Sequence, residues 1–184
     1  MPENLVSPDT GVGPATAAAP GPAGLPRGPV PPAWHHLAVQ TADLDASISW
    51  YEDFFDARTA WTLDTFSELT RRRLPGITRL AELTVGDLRF HLFTRGPEHS
   101  APPPADTAQF QHVCLAVPSH EALKDWHDRW SHLYSSGRYR FARAEPATEI
   151  VIDPDGTCSF YAHDVNGVEF EFTYQPGGGD ESAG

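Results

Sequence analysis

The sequence contains two similar stretches, each of which opens with a histidine. The first begins at His36 with His-Leu-Ala-Val, and the second begins at His112 with His-Val-Cys-Leu-Ala-Val. An alanine stands ten residues after each histidine and a tryptophan stands fourteen after it, at Ala46 and Trp50 and at Ala122 and Trp126. The shared register predicts two copies of one structural unit, each with a histidine at the same place.

A second pair of equivalent positions lies near the end of each stretch, where alignment makes His91 the counterpart of Glu171. Imidazole and carboxylate are suitable ligands for Fe(II), Mn(II), Zn(II) or Ni(II), and two histidines with one carboxylate leave coordination positions open for substrate and oxygen. We therefore predict that His36, His112 and Glu171 hold one divalent metal ion. His91 is a candidate fourth ligand.

The elements that carry these residues follow from the spacing of apolar side chains. Asp43 can cap a helix whose apolar residues recur at one face, at Leu44, Ile48, Tyr51 and Phe55. Strand-like runs cover residues 78–85 and 88–93, with Gly86-Asp87 as a hairpin turn between them. The first unit is therefore predicted to be β-α-β-β, or the same with one further strand.

The second unit repeats this order of elements. A helix is predicted over residues 120–133, and strands over residues 148–152, 158–162 and 168–174. The two turns between these strands are predicted at residues 153–156 and 164–167, where Asp, Asn, Pro and Gly cluster.

Both ends of the chain differ in composition from these units. Residues 1–31 are dominated by Pro, Ala and Gly and predict a disordered tail, and residues 176–184 predict a flexible one. This leaves one predicted domain, residues 32–175. Its two modules are predicted at about residues 34–96 and 108–175, and a proline-rich linker is predicted between them at residues 101–104.

Charge and hydropathy exclude several classes of partner. A formal net charge of −12 argues against nucleic-acid binding, which depends on Lys and Arg. No apolar stretch approaches the roughly 20 residues of a membrane helix, and no signal peptide is recognisable, so we expect a cytoplasmic protein without a membrane partner. Cys114 and Cys158 lie in strand-like runs and are predicted to be buried free thiols.

Two segments resemble a known superfamily. Residues 36–44, followed by Trp50-Tyr51, resemble the opening of a vicinal-oxygen-chelate domain of the glyoxalase, bleomycin-resistance and extradiol-dioxygenase kind. Residues 160–171 are similar to the tyrosine, the Asp-Pro-x-Gly turn and the terminal ligand glutamate of that family. The resemblance covers nearly all of residues 34–175. It implies an α+β fold in which two βαβββ modules form an open, cup-shaped mixed sheet around a metal site.

Within that superfamily, the tyrosine position favours the extradiol dioxygenases. Tyr161 stands ten residues before the ligand glutamate, as in their pattern, and His99, thirteen residues before His112, matches their acid–base histidine. Two departures count against the match, because Val165 replaces a signature proline and residues 152–154 occupy the window of a signature histidine. The resemblance implies an Fe(II)-dependent enzyme whose partners are a catechol and O2.

A narrower resemblance links residues 66–77 to the small single-domain dioxygenases that cleave 3,4-dihydroxyphenylalanine in actinomycete antibiotic biosynthesis. It implies an acid–base histidine, a tyrosine that hydrogen-bonds the ligated oxygen, and an arginine that binds the substrate carboxylate. The catalytic candidates are His99, His120 and Tyr161. The substrate-binding candidates are Arg73, Arg95, His91 and His163.

Two other functions remain as alternatives, because a shared fold does not fix function. A glyoxalase-like isomerase or lyase would bind Ni(II) or Zn(II) through four ligands, His36, His91, His112 and Glu171. A metal-free drug-binding resistance protein would use a cup lined by Trp61, Phe93 and Phe110, although such a cup has no need of aligned ligand residues. A homo-oligomer is expected because a half-open sheet exposes apolar surface, and the modules pair either within one chain or between chains.

Overall fold

The structure is a computed structural model that describes residues 33–99 and 110–177. Ala33 and Trp34 are exposed, and the regular elements extend from Leu37 to Tyr174. The expected N-terminal tail, the proline-rich linker and residues 178–184 of the expected C-terminal tail lie outside the described residues. Among the residues described, none of the helices combines the length and the apolar character needed to cross a membrane.

The first module has the order β-α-β-β-β, with a short extra helix before its third strand. Its elements are β1 (Leu37–Gln40), α1 (Leu44–Phe55), β2 (Arg58–Leu63), α2 (Glu68–Arg73), β3 (Ile77–Val85) and β4 (Leu88–Arg95), followed by a 3-10 turn at Pro97–His99. The sheet order is β1-β4-β3-β2, with β1 parallel to β4 and the other pairs antiparallel. The further strand allowed by the sequence is β2, an exposed edge strand.

The second module repeats this topology. Its elements are β5 (His112–Ala116), α3 (His120–Ser135), β6 (Val151–Ile152), β7 (Cys158–His163) and β8 (Glu169–Tyr174), in the sheet order β5-β8-β7-β6. The strand predicted over residues 148–152 is only two residues long. Thr148 instead contacts Tyr161 through its backbone N–H and its side-chain oxygen, and this pattern does not continue the regular ladder.

Helix α1 begins where the sequence predicts. Asp43 is its N-cap, and the Asp43 side chain accepts a hydrogen bond from the backbone N–H of Ala46. Such a cap satisfies one of the amides that the first turn leaves unpaired. The predicted apolar residues Leu44, Tyr51 and Phe55 are buried, so the spacing of these side chains identified the face of α1 that packs into the core.

The two modules share one aromatic core, which contains the buried face of α1. Phe54 contacts Trp126 of α3, with their ring centroids 5.3 Å apart. Phe55 contacts both Phe90 of β4 and Phe170 of β8, at 5.1 and 5.5 Å between ring centroids. Burial of each large apolar side chain stabilises the fold by about 1.5–3 kcal/mol. The core-facing sides of both sheets therefore meet at α1.

A buried carboxylate in the turn between β7 and β8 ties this turn to α1. Asp164 is fully buried and accepts hydrogen bonds from the hydroxyl of Tyr51 and from the backbone N–H groups of Asn166 and Val168, each at 2.8 Å. Burial raises the pKa of Asp164 above its ordinary value, although these hydrogen bonds oppose the rise. The turn that the sequence predicted at residues 164–167 therefore also joins the two modules.

Candidate functional site

The candidate ligands lie on the sheet faces that point away from the shared core. Successive side chains of a strand point to opposite faces, and the core residues Phe90 and Phe170 are the chain neighbours of His91 and Glu171. We call the two outward surfaces ligand faces, one on the first sheet carrying His91 and one on the second sheet carrying Glu171.

On the first ligand face, His36 and His91 form a stacked pair. Their ring centroids are 3.7 Å apart and their planes differ by 16°. Nδ1 of His36 also lies 2.8 Å from Nδ1 of His35. Burial, and then the charges of His91 and His35, lower the pKa of His36. This shift favours the neutral imidazole, which is the form that binds a metal.

Glu82 and Trp61 lie next to this stacked pair. We call the four residues together the first half-site: His36, His91, Glu82 and Trp61. Nε2 of His91 lies 2.8 Å from Oε2 of Glu82, and the indole N–H of Trp61 donates to Oε1 of Glu82 at 3.1 Å. Trp61 lies on the edge strand β2 and is 38% exposed.

The second half-site consists of His112, Glu171, Tyr161 and Cys114 on the other ligand face. Nε2 of His112 lies 3.1 Å from Oε2 of Glu171, and the ring of His112 lies edge-on to Tyr161 at 5.7 Å. Burial, followed by the hydrogen-bonding interaction with Glu171, raises the pKa of Tyr161. A nitrogen ligand, an oxygen ligand and a phenol are therefore gathered on a surface that is open to solvent.

The prediction that Cys114 is a buried thiol is wrong, although both cysteines are free. Cys114 is exposed because it stands opposite Glu171 in the β5–β8 ladder and shares its outward face, whereas Cys158 is buried. The residue is exposed, but its thiol is partly desolvated. This desolvation, followed by the nearby carboxylate of Glu171, raises the pKa of Cys114 to about 11.

The four candidate ligands form two pairs instead of one cluster. Within residues 33–99 and 110–177, no group of three or more His, Cys, Asp or Glu side chains is arranged to hold a metal ion. The donor atoms themselves suit a divalent metal, because one pair supplies two imidazoles and the other an imidazole and a carboxylate. The two pairs lie on different ligand faces, and both faces point away from the shared core.

Four histidines are expected to act in acid–base or substrate contacts; His91 belongs to the first half-site, and of the other three His163 lies on the second ligand face. It is buried on β7, two residues from Tyr161 and on the same face, with its Nε2 3.8 Å from Glu169. His120 is exposed at the start of α3, on the opposite side of the second sheet. His99 lies in the 3-10 turn after β4, where its backbone carbonyl accepts a hydrogen bond from Gln40.

The two arginines expected to bind a substrate carboxylate have different surroundings. Nε of Arg95 donates to the carbonyl of Pro75 at 2.7 Å, which ties this guanidinium to the loop before β3. Arg73 is exposed at the end of α2. Neither is placed in a half-site by a contact with the candidate ligands, and both roles stay predictions.

The aromatic residues expected to line a drug-binding cup are spread over both ligand faces. Phe93 is 8% exposed and Trp61 belongs to the first half-site. Phe110 instead lines a separate cavity of about 380 Å³, together with His163 and Glu169 of the second ligand face.

Glu82 is the functional candidate that the sequence reasoning missed. A signal for it was present, because a two-residue hairpin turn at Gly86-Asp87 pairs Val85 with Leu88 and hence Glu82 with His91. A carboxylate inside an apolar strand, placed opposite a candidate ligand, was therefore readable from the predicted hairpin.

Comparison with known proteins agrees with this architecture. A family model described as the Glyoxalase/Bleomycin resistance protein/Dioxygenase superfamily matches residues 33–172. The chain belongs to this superfamily. Most members of the glyoxalase/bleomycin resistance/dioxygenase superfamily are enzymes, and members bind divalent metal ions. The expected α+β fold of two repeated modules with open mixed sheets is confirmed.

Solved structures of the superfamily share this fold at low sequence identity. A glyoxylase/bleomycin resistance protein/dioxygenase domain from Frankia sp. EAN1pec matches at a TM-score of 0.61 and 15% identity, covering 81% of this chain and 96% of that one. Lactoylglutathione lyase from Agrobacterium tumefaciens matches at 0.51 and 21%, covering 78% and 94%. The fosfomycin resistance protein FosX from Listeria monocytogenes matches at 0.52 and 12%, covering 80% and 96%. No curated protein matches the chain.

Proposed function

We propose that this protein is an Fe(II)-dependent extradiol dioxygenase that opens the ring of a catechol, with 3,4-dihydroxyphenylalanine as the candidate substrate. The observation that carries the proposal is the second half-site, where His112 lies 3.1 Å from Glu171 and Tyr161 stands beside that carboxylate. A metal ligand pair with an adjacent phenol is the combination that the dioxygenase resemblance implies. His36 supplies the third ligand.

The chain's own residues would divide the work as follows. His36, His112 and Glu171 would hold the ion, and Tyr161 would hydrogen-bond an oxygen of the bound catechol. His163, on the same face as Tyr161, is placed to exchange a proton with a catechol hydroxyl. When bound, a ferrous ion would supply the coordination positions and redox chemistry through which a catechol and O2 react, with both oxygen atoms entering the product.

We further propose that the metal centre is completed by a second copy of the chain. Among the described residues neither ligand face groups three side chains arranged for a metal ion, and the strands β1 and β5, next to which His36 and in which His112 lie, are edge strands of the described sheets. Trp61 and Leu63 of the first sheet are 38% and 47% exposed, and Ile152 of the second is 65% exposed. Pairing the first face of one copy with the second face of another covers this surface and joins His36 to His112 and Glu171.

The first test is anaerobic loading with Fe(II), followed by oxygen-electrode and absorbance assays with a panel of catechols that includes 3,4-dihydroxyphenylalanine. We expect oxygen uptake together with a new yellow chromophore. His112→Ala should abolish both, whereas His132→Ala, an exposed histidine of α3, should leave both unchanged. Tight metal binding without oxygen uptake would overturn the dioxygenase proposal.

A glyoxalase-like isomerase or lyase is the second candidate, and the stacked pair of His36 and His91 favours it. With both rings 3.7 Å apart, the first half-site offers two nitrogen ligands to the pair from the second half-site. Four ligands without a redox-active ion suit an isomerisation, because no oxygen is activated. Zn(II)- or Ni(II)-dependent turnover of a 2-oxoaldehyde thiol adduct, lost in His91→Ala, would support this candidate.

A further inference from the structure

Glu82 is a buried carboxylate on the first ligand face. It is 5% exposed and stands between Ala81 and Leu83, both of which are fully buried on the core-facing side of β3. A buried charge is costly unless hydrogen bonds and opposite charges compensate it. The hydrogen bonds and charges around Glu82 must therefore stabilise its buried carboxylate.

Both oxygens of Glu82 are engaged by side chains of neighbouring strands. The indole N–H of Trp61 donates to Oε1 at 3.1 Å, Oε2 lies 2.8 Å from Nε2 of His91, and Nη1 of Arg89 lies 3.7 Å from Oε1. The contact with His91 is the shortest of the three. A carboxylate accepts hydrogen bonds, so Nε2 of His91 is the donor in this contact.

This contact fixes the orientation of a ring that is itself in contact with a candidate ligand. His91 is held at one edge by Glu82, and its face is stacked on His36. With Nε2 directed at Glu82, the ring presents Nδ1 on its other edge. The carboxylate of Glu82 thereby determines the position of the His91 ring and leaves Nδ1 as the nitrogen that is available to a metal ion.

We infer that Glu82 is a positioning residue for the proposed metal centre, holding His91 through Nε2 so that His91 and His36 stay stacked and oriented for the ion. The inference rests on the proposed function, because it assigns Glu82 a role toward the metal. Carboxylates that orient ring nitrogens in this way raise metal affinity by holding the ligands in place before the ion arrives. Trp61 secures the second oxygen of Glu82 and so belongs to the same device.

The test begins with titration of the chain with Co(II), in which absorbance reports how much Co(II) is bound and so gives the Co(II) affinity. Glu82→Gln replaces one of the two carboxylate oxygens by an NH2 group, which cannot accept, so either Trp61 or His91 loses the acceptor that it contacts. We expect about 10–100-fold weaker Co(II) binding, as is typical when a residue that orients a ligand is lost. Glu98→Gln, which changes an exposed carboxylate beside His99, is the matched control and should bind Co(II) like the wild type.

A double-mutant cycle separates positioning from a general effect on folding. If Glu82 acts through His91, Glu82→Gln should not weaken Co(II) binding further in a His91→Ala background. Trp61→Phe, which removes one hydrogen bond and leaves the carboxylate in place, should weaken binding severalfold and serves where Glu82→Gln fails to fold. Equal losses from Glu82→Gln with and without His91 would overturn the inference.

Nitrogen NMR of the imidazoles in the metal-free chain gives a readout that needs neither metal nor activity. The wild type should show His91 with its proton on Nε2, and Glu82→Gln should redistribute that proton. Wild-type Co(II) affinity in Glu82→Gln would overturn the inference while the proposed function stands. A wild type that binds no metal at all would overturn both, and the NMR result would still show whether Glu82 orients the ring.

Discussion

At the scale of single residues, the two half-sites use the same cross-strand arrangement. His91 on β4 stands opposite Glu82 on β3, and Glu171 on β8 stands opposite Tyr161 on β7. In each module, a candidate ligand on the last strand therefore has a polar partner on the preceding strand. Directly opposed side chains in an antiparallel pair are close enough to hold each other in place.

Replacement of Tyr161 tests this arrangement in the second half-site. Tyr161→Phe removes the hydroxyl beside Glu171 while keeping the ring, so we expect Co(II) affinity to fall about 10-fold and catechol turnover to fall with it. Isothermal titration calorimetry and the oxygen electrode measure the two effects. Tyr174→Phe in the same sheet is the control, because Tyr174 stands opposite Cys158 at the other end of β8 and not opposite Tyr161. Equal Co(II) affinities and equal turnover in wild type and Tyr161→Phe would remove Tyr161 from the site.

At the scale of elements, the turns fix which side chains face each other across the sheets. The turn at residues 86–87 sets the register that opposes Glu82 and His91, and the turn at residues 164–167 does the same for Tyr161 and Glu171. The second turn depends on Asp164, whose carboxylate accepts hydrogen bonds from the backbone N–H groups of Asn166 and Val168. Its protonation is therefore linked to folding.

The pH dependence of stability reports on that turn. The pKa of Asp164 is raised in the folded chain from its ordinary value of 3.8, so the folded state keeps a proton that the unfolded state has lost. The free energy of unfolding of the wild type should therefore fall relative to that of Asp164→Asn as the pH rises from about 4 through the raised folded pKa. Urea unfolding at a series of pH values measures this difference.

Asp155 in the turn between β6 and β7 provides a control of opposite sign. Its hydrogen bond with the backbone N–H of Thr157 lowers the pKa of Asp155. Stability relative to Asp155→Asn should therefore be present above about pH 4 and be lost as the pH falls through the lowered folded pKa. Parallel pH profiles for the two variants would show that burial does not govern the protonation of Asp164.

At the scale of the whole molecule, the shared core separates the two ligand faces. Phe55 of α1 packs against Phe90 and Phe170, and His91 and Glu171 follow these residues on the outward faces. One chain consequently carries the two half-sites on separate faces, and the proposed metal centre needs one of each. A second copy would supply the complementary half to each.

Subunit complementation tests the proposed centre between two copies. His36→Ala and Glu171→Ala chains, refolded together, should form mixed dimers in which one site has all its ligands. With random pairing, about one quarter of the wild-type metal content and activity should return, because half of the dimers are mixed and each has one intact site of two. Metal analysis and size-exclusion chromatography with light scattering provide the measurements.

A mixture of His112→Ala and Glu171→Ala chains is the matched control. Both changes lie in the second half-site, so every site in a mixed dimer lacks a ligand and no activity should return. No recovery in the first mixture, with full recovery of wild type refolded alone, would place the metal centre within one chain.

The sequence by itself determined the repeat, the order of elements and the candidate ligands. Apolar spacing located α1 and its Asp43 cap, and the strand-like runs located β3, β4, β7 and β8. These features are local, because periodicity and turn chemistry act over a few residues. Even the pairing of Glu82 with His91 was contained in the predicted hairpin.

Only the tertiary structure decided how the two modules meet. The sequence leaves open whether the modules pair within one chain or between chains, and in the structure they pack through α1 with His91 and Glu171 on outward faces. The burial of Glu82 and the exposure of Cys114 likewise depend on which face of each sheet the core covers. Strand alternation gives two faces to every strand, and only packing between segments distant in the chain chooses the one that is buried.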